Sequence, residues 1–521
     1  MQGLRRWVTR PVVAMVAVGL IAAGVRFAHL SYPKDLVFDE VYYAKSACIY
    51  VGWSDKRCMV TSSAEKYWRS DPTNGKWDVG SWVHPPLGKW QIALGEKAFG
   101  MTPFGWRVSS AVVGTAAVVA LAGIAQLLWG SALWTFIAGL LLATESLNVV
   151  ESRAALLDIH LEFWVIMGFL FLLLDRRWID RRTPAELAEE DAELPGPAEG
   201  VPLRLPTPPE GYVGAHLAPA ARVPSPVWRP WRFAAGVGFA LAASVKWSGV
   251  TALIAAGILS LIWETSRRHR EHIGWGRAFA RAFAREGFGI TLAFLVLPAA
   301  VYLAVYIPWF NHFGWSINDW WANQQAMWHY HATLQATALD TATHTYTPTH
   351  PYYSPGWTWL IMRRPVSYWV KNGENGAIAQ ILAIGNPAIF WGSIAALPFT
   401  AWWWRRARDW RAGLILLAVL VQWLPWFFVK RPQFFFYVLP MTPFMVLACV
   451  YTVRYLYEAT IVQVEPATGE RVESTHHPFR PVAWIFVILA IGLFVWFWPV
   501  LTGKMLSHDA WRMRLWANQW I

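Results

Sequence analysis

Long apolar stretches recur along this chain of 521 residues, and they constrain its fold more than any other feature. Hydrophobic residues make up 55% of the sequence and charged residues only 15%, whereas soluble proteins carry about 25% charged residues. A stretch of about 20 apolar residues forms a helix that can cross a bilayer. We therefore predict an all-α polytopic membrane protein with about eleven transmembrane helices. The predicted spans lie near residues 11–30, 106–128, 132–150, 156–174, 233–246, 248–263, 288–309, 378–400, 412–429, 434–453 and 482–500.

Basic residues between the spans predict the orientation of the chain. The Arg-rich connections lie at residues 5–10, 176–182, 267–285 and 405–411. All of them fall on one side of the membrane if the N-terminus is cytoplasmic, which also explains the net charge of +12 without nucleic acid as a partner. Residues 31–105 and 310–377 then form two external loops, in which we expect short juxtamembrane helices. An odd number of spans also puts an interfacial C-terminal segment, residues 501–521, outside.

Three cytoplasmic or membrane segments depart from the simple span pattern. Within the cytoplasmic loop 175–231, residues 184–210 are rich in Pro and acidic residues and are predicted to be disordered. Residues 274–285 carry aromatic and Arg faces, which predicts an amphipathic helix lying on anionic lipid. The polar sequence Lys246-Trp247-Ser248-Gly249 interrupts two short spans. Broken helices are tolerated at membrane depth only where protein or water satisfies the backbone, so this break is predicted to line a cavity.

Two adjacent carboxylates, Asp39 and Glu40, follow the first predicted span. Ionised side chains are poor membrane anchors, so at a bilayer surface they indicate a solvated site or a chemical task. Neighbouring residues on a helix point about 100° apart, so one can accept a proton while the other holds the backbone or a cation. The alternative is an acidic pair that only stabilises a helix N-terminus.

Further polar residues on the predicted outer side suggest contacts with an anion. His84 and Lys89 lie in HPPLGK, where a lysine near a helix start favours an anionic partner; a loop-to-helix boundary is the alternative. Arg153 lies between the third and fourth spans, and its guanidinium suits phosphate or a carboxylate. Lys246 and Arg431 are cations on the side that the positive-inside rule disfavours, so they predict a lipid phosphate. Internal Arg–acid pairing and snorkelling side chains are the competing explanations.

Cysteine and histidine patterns do not predict a metal. Cys48 and Cys58 share the first external loop, where a disulfide can form, and two free thiols are the alternative. Cys449 lies within a span and is predicted to be a core residue. No zinc-binding pattern is present, and the histidines of the second external loop have no known ligand spacing. These histidines are at positions 329, 331, 344 and 350.

Several motifs together carry a family resemblance. They are the acidic pair, HPPLGK, ESRAALLD, SVKWSG, ENGAIAQILAIGNPAIFW and KRPQFFFYVLP, in a resemblance that spans Arg10 to Val500. This set resembles the protein O-mannosyltransferases, glycosyltransferase family 39 of the GT-C superfamily. The resemblance implies a GT-C transmembrane catalytic domain over residues 1–500. Residues 310–377 are too few for the β-trefoil domain that fungal members carry there, so the chain resembles the bacterial type.

The resemblance also implies a reaction and a site. A mannosyl group would pass, with inversion, from polyprenyl-phosphate mannose to a Ser or Thr hydroxyl of an exported polypeptide, at the outer face of the cell membrane. Asp39 would be the general base, and Glu40 would make supporting contacts. Arg153, Lys246 and Arg431 would bind the donor phosphate. The expected substrate-pocket residues are His84, Lys89, Asp158 and Asn386.

Partners and rival functions follow from the same pattern. No cofactor is implied, and dependence on a divalent cation stays open. Besides donor and acceptor, the expected partner is the lipid bilayer. The main alternative is another GT-C enzyme that transfers arabinose or aminoarabinose from a lipid phosphate. A transporter is a remote alternative, because it would need polar sites near the bilayer midplane and internal repeats.

Overall fold

Helices dominate the computed structural model of this chain. The residues that the structure describes are 2–52, 83–181, 203–204, 228–270, 273–340, 345–464, 471–473 and 477–520. In chain order the described helices are α1 (Gln2–Phe27), α2 (Glu40–Tyr50), α3 (Leu87–Phe99), α4 (Pro103–Trp129), α5 (Ala132–Ala143), α6 (Ser146–Glu151), α7 (Asp158–Asp180), α8 (Pro230–Val245), α9 (Gly249–His269), α10 (Trp275–Thr291), α11 (Leu297–Val305), α12 (Ile307–Phe313), α13 (Ile317–Thr333), α14 (Pro387–Ala407), α15 (Trp410–Trp423), α16 (Thr442–Glu458), α17 (Arg480–Leu501) and α18 (His508–Arg512).

Short antiparallel strands accompany the helices. A hairpin joins β2 (Thr337–Asp340) to β3 (Thr345–Pro348), and a second hairpin joins β4 (Val366–Asn372) to β5 (Ile378–Ala383). The remaining described strands form one sheet in the order β1-β6-β7, and they are β1 (Leu203–Arg204), β6 (Thr460–Val464) and β7 (Arg471–Glu473).

Seven helices among the described residues are long and apolar enough to cross a bilayer. They coincide with seven of the predicted spans, so a multi-pass membrane protein is supported while the predicted number of eleven is not. The other four predicted spans also contain helices, but these are shorter or more polar. Helix α5 has 12 residues and α8 has 16, whereas α7 and α14 carry charged residues within their length.

One predicted membrane-spanning helix begins as a strand in the structure. The apolar stretch at residues 378–400 reads as a single helix, but Ile378–Ala383 forms strand β5 and the helix starts at Pro387. A short apolar run fits a buried strand as well as a helix, and its periodicity does not separate the two. The Gly-Asn-Pro sequence that follows β5 marks the boundary, because Asn386 caps α14 and Pro387 occupies its first turn.

The amphipathic segment predicted at residues 274–285 is helical, but it is not a separate surface helix. Helix α10 continues through a π-helical turn, Leu292–Val296, into α11, and the apolar helix as a whole runs from Trp275 to Asn311. Its aromatic side chains are exposed as predicted, whereas Ala278 and Ala282 are buried in the packing of α10 on α9.

The polar break between α8 and α9 is confirmed. Helix α8 ends at Val245, and α9 begins at Gly249. The two helices approach closely here, because a Cβ at Gly249 would lie 2.6 Å from the backbone carbonyl carbon of Ala242. Lys246 lies in the break with extended backbone angles, so its side chain leaves the helix axis. This geometry brings Lys246 to the first turn of α7.

The C-terminal segment packs against the β4–β5 hairpin. Leu506 pairs with Ile378 through two backbone hydrogen bonds, and the Trp511 indole donates to Gln380. Trp520 is buried, so part of the predicted interfacial segment belongs to the protein core. The predicted disorder over residues 184–210 lies outside the described residues, apart from the two residues of β1.

Candidate active site

Asp39 lies directly before α2, at the end of the loop that leaves α1. Its backbone carbonyl accepts hydrogen bonds from the amides of Tyr42 and Tyr43, which start the helix. Its partly buried carboxylate accepts a hydrogen bond from the Tyr43 side chain. Burial raises the pKa of Asp39 to about 6, and nearby Asp158 adds to this rise while Lys246 opposes it. A carboxyl group with this pKa is mostly ionised at neutral pH, so it can accept a proton.

Glu40 is fully buried, and both of its carboxylate oxygens are occupied. Oε1 accepts from Arg107 Nε at 2.8 Å and from the Ala155 amide at 2.8 Å. Oε2 accepts from the Val37 amide, the Trp106 indole and Arg107 Nη2 at 2.8, 3.2 and 2.9 Å. Five donors leave no direction open for a substrate, so Glu40 positions the start of α2.

Arg107 extends this anchoring to the loop before α2. Its guanidinium donates to the backbone carbonyls of Leu30, Pro33 and Asp35, at 3.3, 2.7 and 2.9 Å. The Glu40–Arg107 pair thereby fixes the loop that ends in Asp39 to helix α4. Buried ion pairs of this kind are stable only when additional hydrogen bonds satisfy both partners, as they do here.

Lys246 and Asp158 form a buried ion pair beside Asp39. Lys246 Nζ lies 2.6 Å from Asp158 Oδ2. The ammonium group also lies over the rings of Tyr437 and Phe436, with 5.0 and 5.8 Å to the ring centroids. Both charges act on Asp39. The helix break at Lys246 and the N-terminus of α7 thus meet at the predicted base.

Arg431 and His331 complete the group of cations and aromatic rings. Arg431 Nη1 donates to His331 Nδ1, and Arg431 Nη2 donates to the Tyr437 hydroxyl at 3.2 Å. His331 Nε2 lies 2.8 Å from the Val83 carbonyl and must donate to it, which assigns the neutral tautomer. Burial and the charge of Arg431 lower the pKa of His331 to about 4, in agreement with that tautomer.

His84 and Lys89 hold the neighbouring loop. The ring of His84 stacks on that of His331, with centroids 5.4 Å apart, and it lies 6.4 Å from the ring of Tyr43. Lys89 Nζ donates to the His84 carbonyl at 2.9 Å, and burial lowers the pKa of Lys89 to about 7. Burial and the surrounding cations also depress the pKa of His84 well below its usual range. Both residues therefore support the site.

Two predicted site residues make contacts with helix ends. Arg153 Nη1 donates to the carbonyls of Val25, Arg26 and Ala28 at 3.2, 3.0 and 2.6 Å, so its guanidinium caps the end of α1. Its contact with the donor phosphate stays a prediction. Asn386 caps α14 through its side-chain oxygen, its side-chain nitrogen donates to the carbonyl of Ala490, and its place in the substrate pocket likewise stays a prediction.

Residues that the sequence analysis did not assign to the site complete its walls. Tyr437, like His331, contacts a predicted phosphate ligand directly. The Tyr368 hydroxyl donates to Glu151, and its ring stacks on Phe38 at 4.4 Å, directly before Asp39. No repeating pattern marks these residues. Their proximity arises only when α13 and the strand β4 fold back over the first loop.

The described cysteines differ in their covalent state. Cys48 forms a disulfide, and Cys58, its proposed partner, lies outside the described residues, as does His344. Cys449 is a free, buried thiol, as predicted. Within the described parts of the chain, no three His, Cys, Asp or Glu side chains are grouped as metal ligands.

Comparisons with known proteins agree with the motifs. The family described as dolichyl-phosphate-mannose-protein mannosyltransferase matches residues 16–185, and the C-terminal four-transmembrane region of protein O-mannosyltransferase matches residues 316–520. A polyprenol-phosphate-mannose–protein mannosyltransferase of Mycolicibacterium smegmatis is 30% identical, over 97% of this chain and 92% of the relative. The chain belongs to the protein O-mannosyltransferase family. The equally named protein of Mycobacterium tuberculosis is 28% identical over 99% of this chain and 92% of the relative.

Solved structures place this protein O-mannosyltransferase family member in the GT-C fold. The Saccharomyces cerevisiae Pmt1–Pmt2 complex, solved bound to the sugar donor, matches with a TM-score of 0.67 at 13% identity, over 98% of this chain and 92% of the other. ArnT from Cupriavidus metallidurans matches with a TM-score of 0.50 at 16% identity, over 94% and 76%. At these identities the likeness concerns the fold alone.

Proposed function

We propose that this chain transfers a mannosyl group from polyprenyl-phosphate mannose to a Ser or Thr hydroxyl of a polypeptide. The observation that carries the proposal is the placement of Asp39, a carboxylate with a raised pKa, beside the buried cation Lys246. A base and a cation side by side suit attack of a hydroxyl on a sugar whose leaving group is a phosphate. The names of the curated relatives supply the sugar and the class of acceptor.

The carboxylate of Asp39 acts as general base. As the acceptor oxygen attacks the anomeric carbon, its proton passes to Asp39, the new C–O bond forms, and the bond from that carbon to the phosphate oxygen breaks. Attack opposite the leaving group inverts the anomeric centre, so a β-linked donor gives an α-linked product. A phosphate is already a good leaving group, and no general acid is required. A pKa near 6 makes Asp39 a stronger base than an ordinary aspartate.

Lys246 and Arg431 bind the donor phosphate and stabilise the charge that grows on it. Lys246 shares its ammonium between Asp158 and the phosphate, and Asp158 keeps it in place between turnovers. The Arg431 guanidinium retains a buried Nε without a hydrogen-bond partner, which a phosphate oxygen satisfies. His331, neutral and hydrogen-bonded to Arg431, fixes the direction of the guanidinium without adding charge.

The site faces the outside of the cell membrane, and the N-terminus faces the cytoplasm. The Arg-rich connections support this orientation, since they adjoin the start of α1 and the ends of α7, α9 and α14, whereas Asp39 follows the end of α1. The acceptor polypeptide then meets the enzyme during or after export. The C-terminal segment, which packs on the β4–β5 hairpin, lies on the same side as the site.

The test is Asp39→Asn, with Asp35→Asn as the matched control in the same loop. Purified variants are incubated with labelled polyprenyl-phosphate mannose and a Thr-rich peptide, and products are identified by mass spectrometry. Asp39→Asn should lower transfer at least about 100-fold, because the base is lost while the shape is kept. The exposed Asp35 should tolerate the change. Transfer near the wild-type rate by Asp39→Asn contradicts the base, and absence of transfer from this donor by the wild-type protein contradicts the donor.

A further inference from the structure

A cavity with two arginines in its lining lies at the end of α7 opposite to Asp158. It has a volume of about 690 Å³ and is lined by Leu174, Arg177, Trp178, Arg181 and Trp231. The first four residues are spaced three and four apart on α7, so they form one stripe on the helix. Trp231, from the first turn of α8, forms the facing wall. With a rise of 1.5 Å per residue, Arg177 lies about 28 Å along the helix from Asp158.

The order of these side chains along α7 matches the boundary between acyl chains and headgroups. Leu174 is the deepest residue, Arg177 and Trp178 lie about one turn further, and Arg181 lies at the helix end. The hydrocarbon core of a bilayer is about 30 Å thick, so a helix that begins at one surface at Asp158 reaches the other near Arg177. Trp231 extends the apolar side, because its ring stacks on Phe171 with centroids 6.0 Å apart.

Among the described residues, the neighbouring carboxylates at this end of the bundle are committed to other arginines. Asp180 lies 3.5 Å from Arg176, whose guanidinium stacks on the Trp410 ring at 4.0 Å. Asp175 pairs with the buried Arg229, which also pairs with Glu264. These pairs leave the cavity itself with a basic character.

Arg177 contributes most directly to that character. Its side chain is exposed, and it takes part in no ion pair within the described residues. A guanidinium offers two parallel N–H donors that match two oxygens of a phosphate. Arg181 lies one helical turn further on the same face, where a second guanidinium can reach the same anion.

We propose that this cavity binds the phosphate group of an anionic phospholipid of the bilayer leaflet opposite to Asp39. Arg177 and Arg181 contact the phosphate, and one acyl chain lies along Leu174 and Trp231. Basic pockets between transmembrane helices bind such headgroups in other membrane proteins. A free phosphate shares the charge but not the apolar wall, and the exposed indole of Trp228, three residues before Trp231 in the chain, also favours a lipid. The site is separate from the donor site, because α7 spans the distance between them.

Native mass spectrometry of the whole protein tests this inference. The protein is released from nanodiscs of phosphatidylcholine with phosphatidylglycerol, and the phosphatidylglycerol molecules that remain bound are counted over a titration. The variant is Arg177→Gln with Arg181→Gln. The matched control is Arg405→Gln with Arg406→Gln, which removes the same charge from exposed residues at the same end of the bundle.

The double variant should bind phosphatidylglycerol at least about 30-fold more weakly, since it loses the proposed contacts of two guanidinium groups with one phosphate, and each lost hydrogen bond costs about a factor of five or more. The control should bind like wild type, and replacement by lysines should recover part of the loss. Equal retention by the double variant and wild type overturns the proposal. Displacement of the lipid by inorganic phosphate at the same concentration overturns the lipid as the ligand. Retention by Asp39→Asn should equal wild type, which separates this result from that on the proposed function.

Discussion

Replacement of Glu40 by Gln should destabilise the start of α2, although the two side chains have nearly the same shape. Each glutamate oxygen accepts at least two hydrogen bonds, and Gln exchanges one of these oxygens for an NH₂ group. If the NH₂ group takes the place of Oε1, it meets Arg107 Nε and the Ala155 amide. If it takes the place of Oε2, it meets three donors. In either orientation at least two buried donors lose their acceptor.

The expected loss of stability follows from these contacts. An unsatisfied buried polar group costs about 1–3 kcal/mol, and two or three of them give roughly 2–9 kcal/mol as outer limits. Breaking one partner of a buried ion pair costs about 3–5 kcal/mol, because Arg107 keeps its charge without a counterion. We expect about 3–5 kcal/mol for Glu40→Gln, since the two descriptions count the same contacts and do not add.

The measurement is thermal unfolding in detergent, followed by the fluorescence of the tryptophans at a fixed scan rate. A loss of this size should lower the apparent Tm by about 3–5 °C, because the entropy of unfolding of a chain of this length is about 1.1 kcal/mol per kelvin. Asp35→Asn, with an exposed carboxylate that accepts one hydrogen bond from Trp369, should stay within about 0.5 kcal/mol of wild type. Replacing both partners, Glu40→Leu with Arg107→Met, should recover stability because no charge is left buried. An apparent Tm of Glu40→Gln equal to that of wild type would refute the reasoning.

Two further predictions concern the reaction. The value of kcat/KM should rise with pH around pH 6, because only the deprotonated form of Asp39 accepts a proton and its pKa is raised to about 6. A pH profile of kcat/KM without an inflection between about pH 5 and 7 contradicts this prediction. Arg431→Gln should raise the KM for the lipid donor by roughly tenfold or more and leave the KM for the peptide within about twofold, because a charged hydrogen bond to phosphate contributes about 1.5–3 kcal/mol. Equal changes for both substrates, measured in the same transfer assay, contradict the phosphate contact.

The sequence predicts well those features that depend only on neighbouring residues in the chain. The break at Lys246 is visible because a charged residue and a glycine interrupt two apolar runs, and the structure places the helix ends on either side of it. Asp39 and Glu40 are also visible as charges where apolar residues are expected. What the sequence leaves open is which of the two faces a substrate. That choice depends on Arg107 and Ala155, which reach Glu40 only in the folded chain.

Residue type and approximate depth do not determine the direction of a side chain. Arg153 was assigned to phosphate because a guanidinium suits two oxygens, but the carbonyls at the end of α1 offer the same acceptors. His331 is the converse case, a residue that the sequence did not assign to the site. It lies in the segment 310–377 among several aromatic and histidine residues, and only the C-terminal turn of α13 brings it to Val83, a residue 248 positions earlier. Long-range contacts of this kind leave no periodic signal in the sequence.

The two adjacent acids acquire different tasks because their surroundings differ. Glu40 points into the packing between α2, α4 and the loop before α7. Five donors hold it there, so its carboxylate has no acceptor position left for a substrate hydroxyl. Asp39 receives a hydrogen bond from Tyr43 and lies beside a cation that is itself paired with Asp158. Rigid anchoring of one residue fixes the backbone of the next, so Glu40 sets the position from which Asp39 meets its acceptor. Two carboxyl groups whose surroundings differ commonly take different acid–base roles in enzymes. The proposed general base of this chain therefore depends on its neighbour, whose two carboxylate oxygens are occupied by donors of the protein itself.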